Sequence, residues 1–296
     1  MANGNEGGTM DAIETRVKLI QSESEGFGQF LDSLAPDEWS RSSACDLWEV
    51  RDVVAHLVWA AEFYLDTISR GVNGDASAPE GRLPADALNA PSFDEFIAQR
   101  AIIRRESLGD QLLQTFHARY DQLNQLMARL EPQDWEKPCA FWRSRTIPVE
   151  SFTFLTVQEL AVHGWDIRSM IVPASSVSVQ SVPTLLERIP LRPVPWLSDF
   201  EISTPAAAPI RYRFDLNGVS PGLYDIVVED KRAHMELAKD IPADVFCNCD
   251  GGIFVLLMYG RLTLDAVLST GQLSVEDNRG LMSDFGRWLL GAERPA

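Results

Sequence analysis

The sequence predicts an α plus α+β chain: a four-helix bundle over residues 11–171, then a smaller α+β domain over residues 206–296. Three observations predict it. Apolar residues recur at helical spacing through the first part. Strand-like runs mixed with short helical ones follow in the second. The motif Leu-x-Pro-x-Asp/Glu-Trp occurs twice, in "SLAPDEWSR" (33–41) and "RLEPQDWEK" (129–137). Each copy closes one helix and precedes another that carries a histidine, His56 or His163. A pseudo-repeat of two helix pairs gives a four-helix bundle.

Residues 1–10 are expected as a disordered tail, with no basic-then-apolar leader. Ile13, Val17, Ile20, Phe27, Leu31 and Leu34 mark the first helix, 11–34, which stops near Pro36. The second helix is expected over 47–70, with Asp46 and Glu49 as a capping box and Gly71 at its end. Val50, Val53, Val54, Leu57, Val58 and Ala61 give it a wide apolar face. Residues 71–91, rich in Gly, Pro, Ala and Asp, read as a loop. Ser92 and Glu95 form another capping box, opening a helical pattern from Phe93 to Leu130 that breaks near Gly109. The fourth helix runs from Ser151 to Met170, with Pro173 behind it.

Residues 172–205 read as a linker and connecting segment. Strands are then expected at 211–218, 223–230, 244–249 and 272–277, and helices at 251–262 and 281–290.

The formal net charge is −17. Such a surface repels phosphate backbones and anionic membranes, which argues against nucleic-acid and membrane partners. No apolar run approaches the ~18 residues of a membrane span. Four cysteines in 296 residues do not make a disulfide scaffold, so the reduced cytoplasm is the expected compartment.

The chemistry gathers in "TVQELAVHGWDIRS" (156–169). Residues four apart share a helix face, so Glu159 pairs with His163, as Asp52 does with His56 on the second helix. Bundle interiors hold metals between such residues. Two imidazoles and a carboxylate suit Zn2+ and leave a fourth position open. Two histidines hydrogen-bonded to carboxylates would show the same spacing. Burying unpaired Glu and His is costly, however, and a cation satisfies all three groups at once.

Cys45, at a helix start, has no histidine beside it in sequence. Cys247 and Cys249 read as small packed strand residues. Trp39 and Trp135 are expected at the two matching bundle ends, and Trp165 beside the cleft. His117 reads as structural or exposed, and His234 has no evident chemical partner. No phosphate loop or nucleophile elbow is present in the sequence.

"CDLWEVRDVVAHLVWA" (45–60) and "QELAVHGWDIR" (158–168) together resemble the mycothiol-dependent maleylpyruvate isomerase family. Its N-terminal domain is a DinB-like metal-binding bundle, and a sterol-carrier-protein-like domain often follows. The "CDGGIFVLLMYGRLTLDAVLSTGQLSVEDN" run (249–278) echoes that second domain. The resemblance implies that His56, Glu159 and His163 ligate zinc or another divalent metal, and that Arg261 contributes catalytically. It implies mycothiol or another low-molecular-weight thiol as cofactor. Thiolate addition to a cis double bond, rotation and elimination would isomerise a small anionic unsaturated substrate. The same site could instead work as a thiol S-transferase, or the chain could be a non-catalytic lipid- or small-molecule-binding protein whose C-terminal domain offers an apolar tunnel. Arg51 and Arg168 are further candidates for meeting substrate carboxylates, against a plainer role in surface charge pairing. The assembly expected is a monomer or homodimer.

Overall fold

The computed structural model describes residues 5–45, 47–78, 93–141, 145–172, 174–189, 209–229, 232–276 and 279–289. The chain divides into two compact units, Met1–Ser175 and Ser176–Ala296.

The first unit is built on α1 (Asn5–Asp32), α2 (Val50–Val72), α3 (Phe93–Leu108), α4 (Leu112–Met127) and α5 (Ser151–Ile171). Its core joins Ile13, Ile20, Phe27 and Leu31 of α1 to Phe116, Tyr120 and Leu123 of α4 and Phe152, Val157 and Ile167 of α5. Burial of each large apolar side chain contributes about 1.5–3 kcal/mol. α2 is the central helix and packs on α3, α4, α5 and a short strand. That is why its apolar face is so wide.

Four boundaries differ from the sequence expectation. α1 already includes residues 5–10, expected as tail. α2 begins at Val50 rather than 47, because Ser42 and Glu49 bridge across a turn that holds Glu49 extended. The capping box is Glu49 with Asp52; Asp46 lies outside the described residues, as does Ser92. Gly71 is the next-to-last residue of α2, which runs on to Val72. There a Cβ would meet Cys139 Sγ at 2.3 Å and the Pro138 carbonyl at 2.8 Å. Replacing Gly71 by Ala should destabilise the bundle by about 1–3 kcal/mol, read by urea unfolding; an unchanged midpoint would mean the hairpin shifts freely.

The long third pattern does break at Gly109. A 3-10 turn, Gly109–Gln111, separates α3 from α4, and Gly109 has φ +50. The two copies of the tryptophan motif each fold as a 3-10 turn, Glu38–Ser40 and Pro132–Asp134. Trp39 packs against the core and Trp135 is buried in it. An antiparallel hairpin of β1 (Pro138–Phe141) and β2 (Arg145–Pro148) was not expected. Four-residue strands are too short to show a period.

The second unit begins with α6 (Val182–Arg188), inside the stretch read as linker. Its sheet holds β3 (Ile210–Asn217), β4 (Gly222–Glu229), β5 (Arg232–Leu237), β6 (Val245–Asp250) and β7 (Leu273–Glu276), in the order β5-β4-β3-β6-β7. The β3–β6 pair is parallel and the others antiparallel. The helices are α7 (Gly251–Met258), α8 (Leu264–Ser269) and α9 (Arg279–Leu289). Asp250 caps α7 by accepting from Gly252 N at 2.7 Å, and Thr263 caps α8. Tyr212 and Phe214 of β3 meet Phe285, and Phe214 also meets Phe254, to form the core. The sequence around His234 reads as strand, and β5 forms there, although "RAHMEL" lacks a β-branched run that would fix its bounds; α8, six residues long, was missed.

Candidate metal centre

α2 contributes His56 and α5 contributes Glu159 and His163. His56 Nε2 lies 3.0 Å from Glu159 Oε2, and His163 Nε2 lies 3.4 Å from the same oxygen. One ligand atom from each residue falls within 4.8 Å of the others. Thus the residues predicted from sequence come together from two helices. All are mostly shielded, with side chains 10%, 16% and 13% exposed for His56, Glu159 and His163. Each of the three therefore keeps some contact with solvent.

The cluster attracts positive charge. Burial opposes the Glu159 charge, but hydrogen bonds from His163 and His56 outweigh it and hold the carboxyl far below its usual range. Burial likewise opposes protonation of His163, but bonds to Asp166, Cys45 and Glu159 outweigh it and lift the imidazole well above its ordinary value. A proton can supply that positive charge; so can a divalent cation, which displaces the proton on binding.

The donor set fits such an ion. Ligands at the ~2.0–2.1 Å bond length of tetrahedral zinc stand roughly 3.3–3.4 Å apart. The 3.0 and 3.4 Å spacings around Glu159 are close to that. His163 Nδ1 donates to Asp166 Oδ2 at 2.8 Å, so that once a cation displaces the Nε2 proton the Nε2 lone pair faces Glu159 and His56. Asp166 is fully buried.

Three further residues lie near the cluster: Trp48, which stands in the family-like run, and Trp59 and Tyr120, which were not singled out from sequence. The Trp48 ring centroid is 5.0 Å from that of His56 and 5.8 Å from that of His163. Trp59, one turn beyond His56, lies 6.3 Å from its ring. Tyr120 of α4 is buried near Glu159, and burial with that charge pushes its phenol well above 10. Aromatic residues three positions along a helix from a candidate ligand are the only signal that could have found Trp59; Tyr120 gives none in sequence.

Other candidates sit elsewhere. Asp52 shares a helix face with His56 by spacing, yet accepts from Glu49 N at 3.0 Å and pairs with Arg105 at 3.0 Å. It therefore anchors the start of α2. Arg51 pairs with Glu49. Arg168 lies 5.2 Å above the rings of both Phe27 and Phe30, a stacking role rather than a surface ion pair. Trp165 is buried and donates to the Ser175 carbonyl at 3.0 Å. His117 pairs with Asp32 at 3.1 Å, and His234 is exposed. Cys247 and Cys249 are buried in β6. Cys45, with no histidine near it in sequence, lies 3.9 Å from His163 Nδ1 in space. Arg261, in the second unit, donates to the Tyr259 carbonyl at 3.2 Å.

The domain family described as "Mycothiol maleylpyruvate isomerase N-terminal domain" matches residues 20–168. Among solved structures, that of a mycothiol-dependent maleylpyruvate isomerase aligns with a TM-score of 0.60 at 13% identity, covering 89% of this chain and 92% of that one. A histidine-to-alanine variant of that enzyme aligns with a TM-score of 0.58 at 14% identity and the same coverage. A search of curated proteins found no match. At such identities the likeness is one of fold, and it spans both units. The family match covers half of the chain, including His56, Glu159 and His163: this chain belongs to the mycothiol maleylpyruvate isomerase N-terminal domain family.

Proposed function

We propose that this protein is a metal- and thiol-dependent enzyme acting on a small anionic unsaturated substrate, by cis–trans isomerisation of the maleylpyruvate isomerase type. One observation carries the reading: His56, Glu159 and His163, from two helices, present three ligand atoms within 4.8 Å of one another in a shielded pocket. When bound there, a divalent cation such as Zn2+ would hold a coordinated low-molecular-weight thiol, mycothiol in the namesake enzyme, as thiolate at neutral pH; a free thiol with pKa about 8.5 is mostly protonated.

The chain's own groups do the rest. Glu159 and the two imidazoles supply the negative charge and lone pairs that retain the cation. Asp166 holds His163 in the tautomer whose Nε2 can ligate. Trp48 and Trp59 exclude water on the side of His56. From the resemblance, Arg261 is assigned a catalytic role. Free cysteines at all four positions suit a reducing cytoplasm. Among the described residues no helix is long and apolar enough to cross a membrane.

The test has two arms. Elemental analysis of untagged protein, purified without chelator, should find one equivalent of divalent metal. Metal-loaded protein with mycothiol should then isomerise a maleyl substrate, and chelator should abolish turnover. A stable thiol adduct as product would convert the reading to S-transfer. Co-purified lipid without metal would overturn it.

A further inference from the structure

Cys45 sits in the turn before α2, half-buried, with its thiol 3.0 Å from Asp166 Oδ2. That oxygen also accepts a hydrogen bond from His163 Nδ1 at 2.8 Å. The backbone repeats the connection: Ala44 N donates to the Asp166 carbonyl at 2.8 Å. The turn is closed internally. Cys45 N donates to Ser43 Oγ at 3.1 Å, Ser43 Oγ donates to the Trp48 carbonyl at 2.8 Å, and Trp48 N donates to the Cys45 carbonyl at 2.8 Å. Its last residue, Trp48, covers both imidazoles.

From this we infer that Cys45 is a positioning residue for the metal centre: its S–H donates to Asp166, fixes the carboxylate that orients His163, and docks on α5 the turn that carries Trp48. The inference rests on the proposed metal-binding role. It assigns Cys45 the work of a hydrogen-bond donor, distinct from that of a nucleophile or a fourth ligand. A carboxylate accepting from two directions has less freedom to rotate, so the His163 ring is held in the plane that aims Nε2 at Glu159. Partners of ligating histidines typically change metal affinity about 10–100-fold when removed.

The test measures Zn2+ affinity of the full chain by competition with a chromophoric chelator, for wild type, Cys45→Ala and Cys45→Ser. Cys45→Ala should weaken binding about tenfold, and Cys45→Ser, which keeps a donor, should restore most of that. Wild-type affinity in both variants would overturn the inference. Equal weakening in both would also overturn it, since packing alone would then explain the loss. Co2+-loaded wild type should lack a thiolate-to-metal charge-transfer band; such a band that vanishes in Cys45→Ser would make Cys45 a ligand and defeat the donor role. If wild type itself binds neither Zn2+ nor Co2+, the proposed function fails first, and that outcome is separately visible.

Discussion

Replacing either His56 or His163 by alanine should abolish stoichiometric Zn2+ binding. The loss of affinity should exceed the roughly 100-fold upper end seen when a ligand's hydrogen-bond partner is removed. Either change leaves one imidazole and Glu159, two ligands where a closed grip needs three. Helicity should survive. α2 is held by Val53, Val54, Leu57 and Val58, and α5 by Val157, Leu160 and Ile167, all buried and none dependent on the imidazoles. The measurement is metal content after dialysis, with far-ultraviolet circular dichroism on the same samples. Asp52→Asn serves as a contrast. It stands four residues from His56, but its carboxylate caps α2 and pairs with Arg105, so metal content should be unchanged. Full metal occupancy in both histidine variants would defeat the assignment.

The second large effect lies far from the metal chemistry in sequence. Asp225, on β4 and fully buried, accepts from Arg213 at 2.7 and 2.8 Å and from Arg211 at 2.6 Å. Asp225→Ala removes the carboxylate the two guanidiniums share, leaving Arg211 with Glu236 and Arg213 with the Lys239 and Ile241 carbonyls, and should cost about 1–3 kcal/mol of stability in the second unit. Burial alone would raise the Asp225 pKa, but the hydrogen bonds from Arg213 and Arg211 outweigh it and lower the carboxyl below its usual value. The sign follows. This stabilisation is fully present above the unfolded carboxyl pKa, near 4, and drains away as pH falls through the lower folded value. Denaturant unfolding monitored through the second unit's transition should therefore show a gap between wild type and variant at pH 7 that narrows in strong acid. A gap below about 1 kcal/mol at pH 7 would show that the ion pairs are replaceable by solvent.

What the sequence made legible follows from the range of each signal. Helices were readable where a face repeats over several turns, as in α1 and α5. Their ends were less so: the α2 start depends on a bridge between Ser42 and Glu49 that no local propensity encodes. Short elements stabilised by neighbours escaped notice. β1 and β2 exist because they pair with each other, and α6 because it packs on α7.

At the candidate metal centre, helical spacing could join Glu159 to His163 but could not select the helix that faces them. The bundle reading offered His56 as a third ligand on a facing helix, and the family resemblance singled it out as the partner of Glu159, 103 residues away. Spacing also offered Asp52 as a partner for His56, and tertiary structure used it to cap the helix instead. Cys45 illustrates the same gap. Its local sequence suggested no partner, because Asp166 and His163 reach it from 121 and 118 residues away.

The central claim is that His56, Glu159 and His163 grip one divalent cation and leave a position for an external sulfur. Zinc X-ray absorption on the loaded full chain tests it most directly. The predicted spectrum shows two imidazoles among nitrogen and oxygen neighbours at about 2.0–2.1 Å, and one sulfur at about 2.3 Å that enters only when mycothiol is added. Sulfur at zinc before any thiol is added, or zinc without imidazole, would contradict the account.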